Sequence, residues 1–194
     1  MTDLAVAPGR ARLPGDERRR QLLDTAARLL VDHGASAMSM ERLAAEAGVS
    51  KALPYKHFDN AEAVLVALYR REASALGRSV WRALREAPAG SDLTRLAIRT
   101  YFDELARRRQ VLVALTGPGS TVAAVADADH AGVAFEVEVF TTWARVDRDR
   151  AEEIAGVVQG AIVGAAGSWL AGRGRRERLE DDLVWLVDGL LRRR

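Results

Sequence analysis

The chain has 194 residues, 48% of them hydrophobic, enough for one large or two small domains with a sizeable core. It contains no cysteine, which excludes disulfides and thiolate metal sites and fits a reducing cytoplasm. Twenty-nine basic against 27 acidic residues leave a net charge of +2, too small by itself to mark a nucleic-acid binder.

Nearly all of the chain reads helical. Strand-like alternation is absent, and helix breakers recur at roughly regular intervals. The opening MTDLAVAPGRARLPG lacks the apolar core of a secretory signal and reads as a flexible arm. Its Arg10 and Arg12 either steer toward DNA or belong to a disordered tail. A first helix is expected over about residues 16–33, with Leu22, Ala26, Leu29 and Leu30 as its apolar stripe and Gly34 as its stop. Ser39 is placed to cap a short second helix, Met40–Ala47. A third helix follows Gly48-Val49-Ser50 and ends near His57-Phe58. Asp59-Asn60 opens a fourth helix, running to about residue 87, with the stripe Leu65, Tyr69, Ala73, Leu76, Val80 and Leu84.

Ser91-Asp92 begins a fifth helix carrying Leu93, Leu96, Ile98, Phe102 and Leu105. Arg107-Arg108-Arg109 leads into a short apolar piece over residues 111–116, and Gly117-Pro118-Gly119 is a break. A long helix is expected over about residues 121–146, with Phe135, Val139 and Trp143 on one side and Val133, Val137 and Phe140 on another. The next starts at Asp147 and is uncharged from Ile154 to Gly172, about the length of a membrane span. Its Gly and Ala content, with Gln159 and Ser168, reads instead as a buried soluble helix. A last helix, over about residues 176–193, shows Leu179, Leu183, Leu186 and Leu190 at helical spacing.

Leu43-Ala44-x-x-x-Gly48-Val49 has the spacing of a helix-turn-helix corner: a small residue for close approach, then a glycine for the left-handed turn. Val49 is expected to plug the corner and Ser50 to cap the helix beyond. That helix presents Lys51, Tyr55, Lys56 and His57, a set suited to phosphates and base edges. Lys51 and Lys56 are the only lysines of the chain; the other 27 basic residues are arginine. Solvated helix ends are the plainer reading of the arginine clusters at 107–109, 173–178 and 192–194.

Over about residues 18–68 the sequence RRRQLLDTAARLLVDHGASAMSMERLAAEAGVSKALPYKHFDNAEAVLVAL resembles the N-terminal domain of the tetracycline-repressor (TetR) family of transcription regulators. The likeness is carried by the apolar first helix and its glycine, Met38-Ser39-Met40, Leu43-Ala44, Ala47-Gly48-Val49-Ser50, Tyr55, Phe58 and Leu65. It implies an all-α chain of about nine helices. Residues 1–60 would hold the arm and a three-helix helix-turn-helix domain, and residues 61–194 a helical effector-binding and dimerisation domain. The implied DNA contacts are Ser39, Ser50, Lys51, Leu53, Tyr55, Lys56 and His57, with Phe58 as core. WLAGRGRRERLEDDLVWLVDGLL is similar to the family's last helices, which form a four-helix bundle between two subunits. Gly156, Gly160, Gly164, Leu179, Leu183, Leu186 and Leu190 are the expected dimer contacts. Two positions depart from the family. Pro54 stands where a large aliphatic residue is usual, and is tolerated only in a loose or 3₁₀-like first turn. Ala61 stands where lysine is common, which removes one phosphate contact.

In the larger domain Tyr101, Phe102, His130, Phe135, Trp143 and Trp169 either line an effector pocket or form ordinary core. Asp127, Asp129 and His130 superficially suggest a metal site, but ligands so close on one helix converge poorly, so no metal or cofactor is expected. Glu136 and Glu138 interrupt an apolar helix; they are expected at the surface, or else facing a cationic ligand. There is no glycine-rich phosphate loop and no histidine pair at ligand spacing, which argues against an enzyme. The expectation is a cytoplasmic homodimeric repressor, released from a palindromic double-stranded DNA operator by a small apolar effector, with no membrane partner. The alternatives are a dimeric DNA-binding regulator without an effector and a helical enzyme.

Overall fold

The computed structural model describes residues 14–116, 122 and 131–192. Arg10, Arg12, Gly117-Pro118-Gly119, Asp127, Asp129 and His130 lie outside the described residues. Those described form nine α-helices, one 3₁₀ turn and one π turn, with no strand among them. The chain divides into two compact units, Met1–Val64 and Leu65–Arg194.

The first unit contains α1 (Gly15–His33), a 3₁₀ turn (Ala35–Ala37), α2 (Met40–Ala47) and α3 (Ala52–Tyr55). Leu22, Leu23, Ala26, Leu29 and Leu30 of α1 recur at helical spacing and are buried. Fully burying each such leucine stabilises the unit by roughly 1.5–3 kcal/mol. Gly34, at φ 78°, ends α1 and donates its N–H to the Leu30 carbonyl at 2.9 Å. The Gln21 side-chain amide donates to the Ala47 carbonyl at 3.3 Å, tying α1 to the end of α2.

The second unit takes up α4 (Ala61–Arg85), most of which lies in it. It also holds α5 (Leu93–Arg107), α6 (Arg109–Thr116), α7 (Ala131–Val139), a π turn (Phe140–Ala144), α8 (Arg148–Leu170) and α9 (Arg176–Arg192). Side-chain caps explain where three of these helices begin. Asn60 accepts from the Ala63 N–H, Asp92 from Arg95 and Asp147 from Arg150, at 2.8, 2.9 and 3.0 Å. One core cluster packs Ile98, Phe102 and Leu105 of α5 with Ala166 of α8 and Leu183 of α9. A second packs Val137 and Phe140 with Ala151, Ile154, Ala155 and Val158 of α8 and Val187 of α9. Gly132 lets α7 approach α8 closely, because a Cβ there would overlap the Gln159 side chain.

Three expectations are corrected. The helix expected through residue 146 loses its regular winding at Phe140. The chain widens into a π turn and stops at Arg145, which takes the left-handed conformation at φ 56°. The Val146 N–H then closes on the Phe140 carbonyl at 3.2 Å, one residue further back than the six-to-one bond of a Schellman end, because the turn is wide.

The uncharged helix is not buried all round. α8 sends Ala151, Ile154, Ala155, Val158 and Ala166 inward and leaves Gly156, Val157, Gly160, Val163, Gly164 and Gly167 exposed. By length and composition alone it is long and apolar enough to cross a membrane.

The arginine cluster at 107–109 is not simply a solvated end. Glu104 is buried and takes both Arg107, at 2.5 Å, and Arg108, while Arg108 also reaches Glu72 of α4 at 3.3 Å. Arg109 donates to the Leu170 carbonyl at 2.9 Å and lies over the Trp169 ring. In the cluster at 173–178, Arg176 bridges Glu180 of its own helix and Asp103 of α5.

Candidate nucleic-acid interface and apolar cavity

The helix-turn-helix corner is built by backbone chemistry. Ser39 Oγ accepts from the Arg42 N–H at 3.1 Å and so caps α2. α2 ends at Gly48, in the left-handed region at φ 63°, ψ 40°. The Gly48 N–H donates to the Ala45 carbonyl and that of Val49 to Ala44. Val49 is half-buried in the turn. Ser50 does not cap α3 with its side chain, contrary to the sequence reading. Its carbonyl instead accepts from the Leu53 N–H at 3.0 Å, and Lys51 stands at the cap position.

Pro54 accounts for this local geometry. It is buried in the first turn of α3, where its missing N–H has no intrahelical partner to lose. Bonds from Leu53 to Ser50, Lys56 to Leu53 and His57 to Pro54 all span three residues, the 3₁₀ spacing. The regular helix is therefore only four residues long and does not reach His57-Phe58.

The surface of α3 is polar and open. Lys51, Tyr55 and Lys56 are exposed, Tyr55 to 53%, while Leu53 and His57 are half-buried. No described side chain pairs with either lysine. Ser50 is exposed beside them, and Ser39 sits at the start of α2. Phe58 is buried, with the Arg19 guanidinium 4.8 Å from its ring centre. Ala61 is the first residue of α4, after the Asn60 cap.

The second unit holds a partly open cavity of about 280 Å³. Tyr101, Phe102, Phe135 and Trp143 line it, as do Val80 and Leu84 of α4 and Leu183 and Val187 of α9. Trp169 does not: it packs edge-on against Phe102 at 5.9 Å. Outside the cavity, Trp81 meets Phe135 and Trp143 edge to face at 6.4 and 6.0 Å.

The wall holds one carboxylate. Glu136 is 9% exposed, not a surface residue, and burial pushes its carboxyl up to about 7. Burial also raises the Tyr101 phenol, with Tyr69 and Glu136 adding to the effect. Glu138 is exposed and lies 3.5 Å from Arg148. The Trp143 indole N–H is buried without an acceptor among the described residues. Helical spacing carried the missed signal: Glu136, Phe140 and Trp143 are i, i+4 and i+7 on one face.

The expected dimer residues separate. Gly156, Gly160 and Gly164 are on the open face of α8, with nothing within 4 Å of a Cβ built on any of them. Leu183 lies in the core of its own chain, so its assignment to a dimer surface is corrected. Leu179, Leu186 and Leu190 are half-buried. Trp185, at 79% exposure, is the large apolar residue that α9 turns outward.

The chain thus carries a capped helix-turn-helix with exposed lysines on its last helix, and a helical unit with an apolar cavity follows it in sequence. The family model described as "Bacterial regulatory proteins, tetR family" matches residues 22–68. Over that stretch the helix-turn-helix unit is similar to the N-terminal domain of the tetR family. It is 39% identical over 92 residues to the HTH-type transcriptional activator FasR of Mycolicibacterium smegmatis, covering 47% of this chain and 42% of that protein. It is 32% identical over 120 residues to the HTH-type transcriptional regulator EthR of Mycobacterium tuberculosis, covering 60% and 55%. The matched stretches thus span about half the length of these curated relatives. A TetR transcriptional regulator structure from Rhodococcus sp. RHA1 shares the fold over 93% of this chain and 99% of that one, with TM-score 0.68 and 21% identity.

Proposed function

We propose that the protein is a dimeric regulator that binds a palindromic DNA operator through α3 and changes its DNA affinity when a small molecule fills the cavity of its second unit. The observation that carries this reading is the exposed α3 surface, where Lys51 and Lys56 have no described partner while the groups that shape the corner around them are satisfied. Ammonium groups held this way neutralise phosphates and reach base edges. Ser39 adds a hydroxyl at a helix N-terminus, which favours phosphate.

Symmetry supports the dimer. Two identical heads fit successive major grooves only at about 34–36 Å. The open faces of α8 and α9, with Gly156, Gly160 and Gly164 on one and Trp185 on the other, offer an apolar surface to a second copy. On this reading the exposed face of α8 meets protein rather than lipid, and the regulator works in the cytoplasm. Val80 and Leu84 of α4 wall the cavity, so α4 is the element that a bound molecule contacts nearest in sequence to the helix-turn-helix. A ligand shifts the regulator only through its different affinity for two arrangements.

Release of a repressor is the first reading of the output. The likeness to FasR, named a transcriptional activator, favours activation as the second. DNA selection on the purified protein, followed by reporter assays on the selected site, tests both. Enrichment of an inverted repeat is expected; failure to enrich any sequence contradicts operator binding. Lower reporter output with the protein present marks a repressor, and higher output an activator.

A further inference from the structure

Glu136 is a buried carboxyl on the wall of an otherwise apolar cavity, and burial alone, with no neighbouring cation or donor, sets its acidity among the described residues. Two turns along the same helical face, the Trp143 indole N–H is buried with no described acceptor. An unpaired buried polar group costs free energy, so two of opposite hydrogen-bonding character on one cavity wall form a pair of vacant anchors. Phe135, Tyr101 and Trp143 supply aromatic surface around them, which favours a cation as well as apolar bulk.

We infer that the cavity takes a small apolar amine, with its ammonium on the Glu136 carboxylate and an acceptor atom on the Trp143 indole N–H. This deepens the reading of the cavity as the effector site and rests on it. The volume, about 280 Å³, is near the small end of drug-sized sites. The lining favours cation over anion: among the cavity's described walls the only formally charged side chain is Glu136. The arginines Arg70, Arg78, Arg82 and Arg85 of α4, with Glu138, line a wider neighbouring groove that shares Val80, Tyr101, Phe135 and Glu136 with the cavity. The Tyr101 phenol of α5 lies near enough to feel the Glu136 charge, without a hydrogen bond between them, and Tyr69 of α4 acts on that same phenol. α8 contributes the uncharged Gln159 to the groove, and α9 contributes only apolar residues to the cavity.

Proton and ammonium compete for one carboxyl. With its pKa near 7, Glu136 is mostly neutral at pH 6 and mostly ionised at pH 8. An ammonium ligand therefore binds more tightly as pH rises through that interval, by roughly ten-fold. An uncharged analogue has no such dependence.

The test uses the full chain and three probes of one shape: phenoxybutylamine, phenoxybutanol and phenoxybutyrate. Binding is followed by tryptophan fluorescence and calorimetry. The amine is expected to bind best at pH 8, about ten-fold more weakly at pH 6, and at least ten-fold more weakly to Glu136→Gln. Trp143→Phe is expected to weaken it a few-fold. The alcohol should be indifferent to pH and to Glu136→Gln. Equal or tighter binding of the alcohol or the acid by the wild-type chain overturns the inference. So does unchanged amine affinity in Glu136→Gln, or no saturable binding of any probe. The wild-type pH and probe comparisons stand independently of how the variants fold. DNA affinity measured beside them separates the two claims. An amine that binds through Glu136 yet leaves DNA affinity unchanged contradicts the effector reading and leaves the ligand class intact. A DNA response to the acid alone does the reverse.

Discussion

In the helix-turn-helix unit the polar groups that shape the backbone are satisfied and the unpaired ones face water. Ser39 caps α2, Gly48 and Val49 close its end, and Lys51 and Lys56 stand free at the surface. In the second unit the arrangement is reversed. Surface charges such as Arg95 and Asp181 pair with each other, whereas Glu136 and the Trp143 N–H are left without described partners inside. The lesson concerns where binding free energy is held in reserve. An exposed ammonium loses little by waiting in water, so a surface site can stay open at small cost. A buried carboxyl waits at a cost, and a ligand that relieves it gains more.

Substitutions sharpen that contrast, beginning with the largest effect. Phe102 is fully buried between the cavity and a core cluster. Phe102→Ala should cost about 3–5 kcal/mol and lower the melting temperature and every activity together. A loss confined to ligand response would show that the cavity wall is not part of the core.

Glu136→Gln comes next. The folded carboxyl titrates near 7, above its ordinary value of 4.5, so the folded state holds an extra proton between those limits. Wild-type stability from this group therefore falls as pH rises from about 4.5 to 7 and is level above. The Gln variant should gain up to about 3 kcal/mol over wild type at pH 8 and little at pH 4. Denaturant melts at the two pH values check the sign; an advantage independent of pH would mean that folding does not raise the Glu136 pKa.

Ser39→Ala removes the α2 cap and should cost about 1 kcal/mol. Because the same hydroxyl is proposed to meet phosphate, DNA affinity should fall further than the melt alone explains. Equal effects would reduce Ser39 to a cap. Trp185→Glu should leave the protomer fold nearly unchanged, since the side chain is exposed, but shift dimer to monomer by light scattering. A persistent dimer would move the interface elsewhere.

The two units also differ in how far they could be read from sequence. Short-range chemistry sets the first: a stop at Gly34, a cap at Ser39 and a left-handed Gly48 are local, and a local pattern carries them. Pro54 was legible as a constraint, although the truncation of α3 to one turn depended on which carbonyls the following N–H groups found. The all-helical architecture of the second unit followed from breakers and caps such as Asp92 and Asp147. Its site did not. Whether Glu136 or Glu138 faces inward depends on how α7 turns against α8, which Gly132 and Gln159 decide by contact. The stripe from Leu179 to Leu190 marked an apolar face correctly, but periodicity does not say whether that face meets its own chain or another. Leu183 meets its own.

The Lys51→Ala, Lys56→Ala double variant, assayed on a selected operator, decides whether α3 is the DNA-reading element. Both side chains are exposed and unpaired among the described residues, so the variant should stay folded with the wild-type melting temperature. If one lysine reads a base and the other a phosphate, affinity at ~0.15 M salt should fall by at least the ~1–3 kcal/mol of a lost base contact. The salt slope should drop by about 1 per lost phosphate contact in each subunit. A folded, dimeric double variant that keeps wild-type affinity and salt slope would contradict the claim.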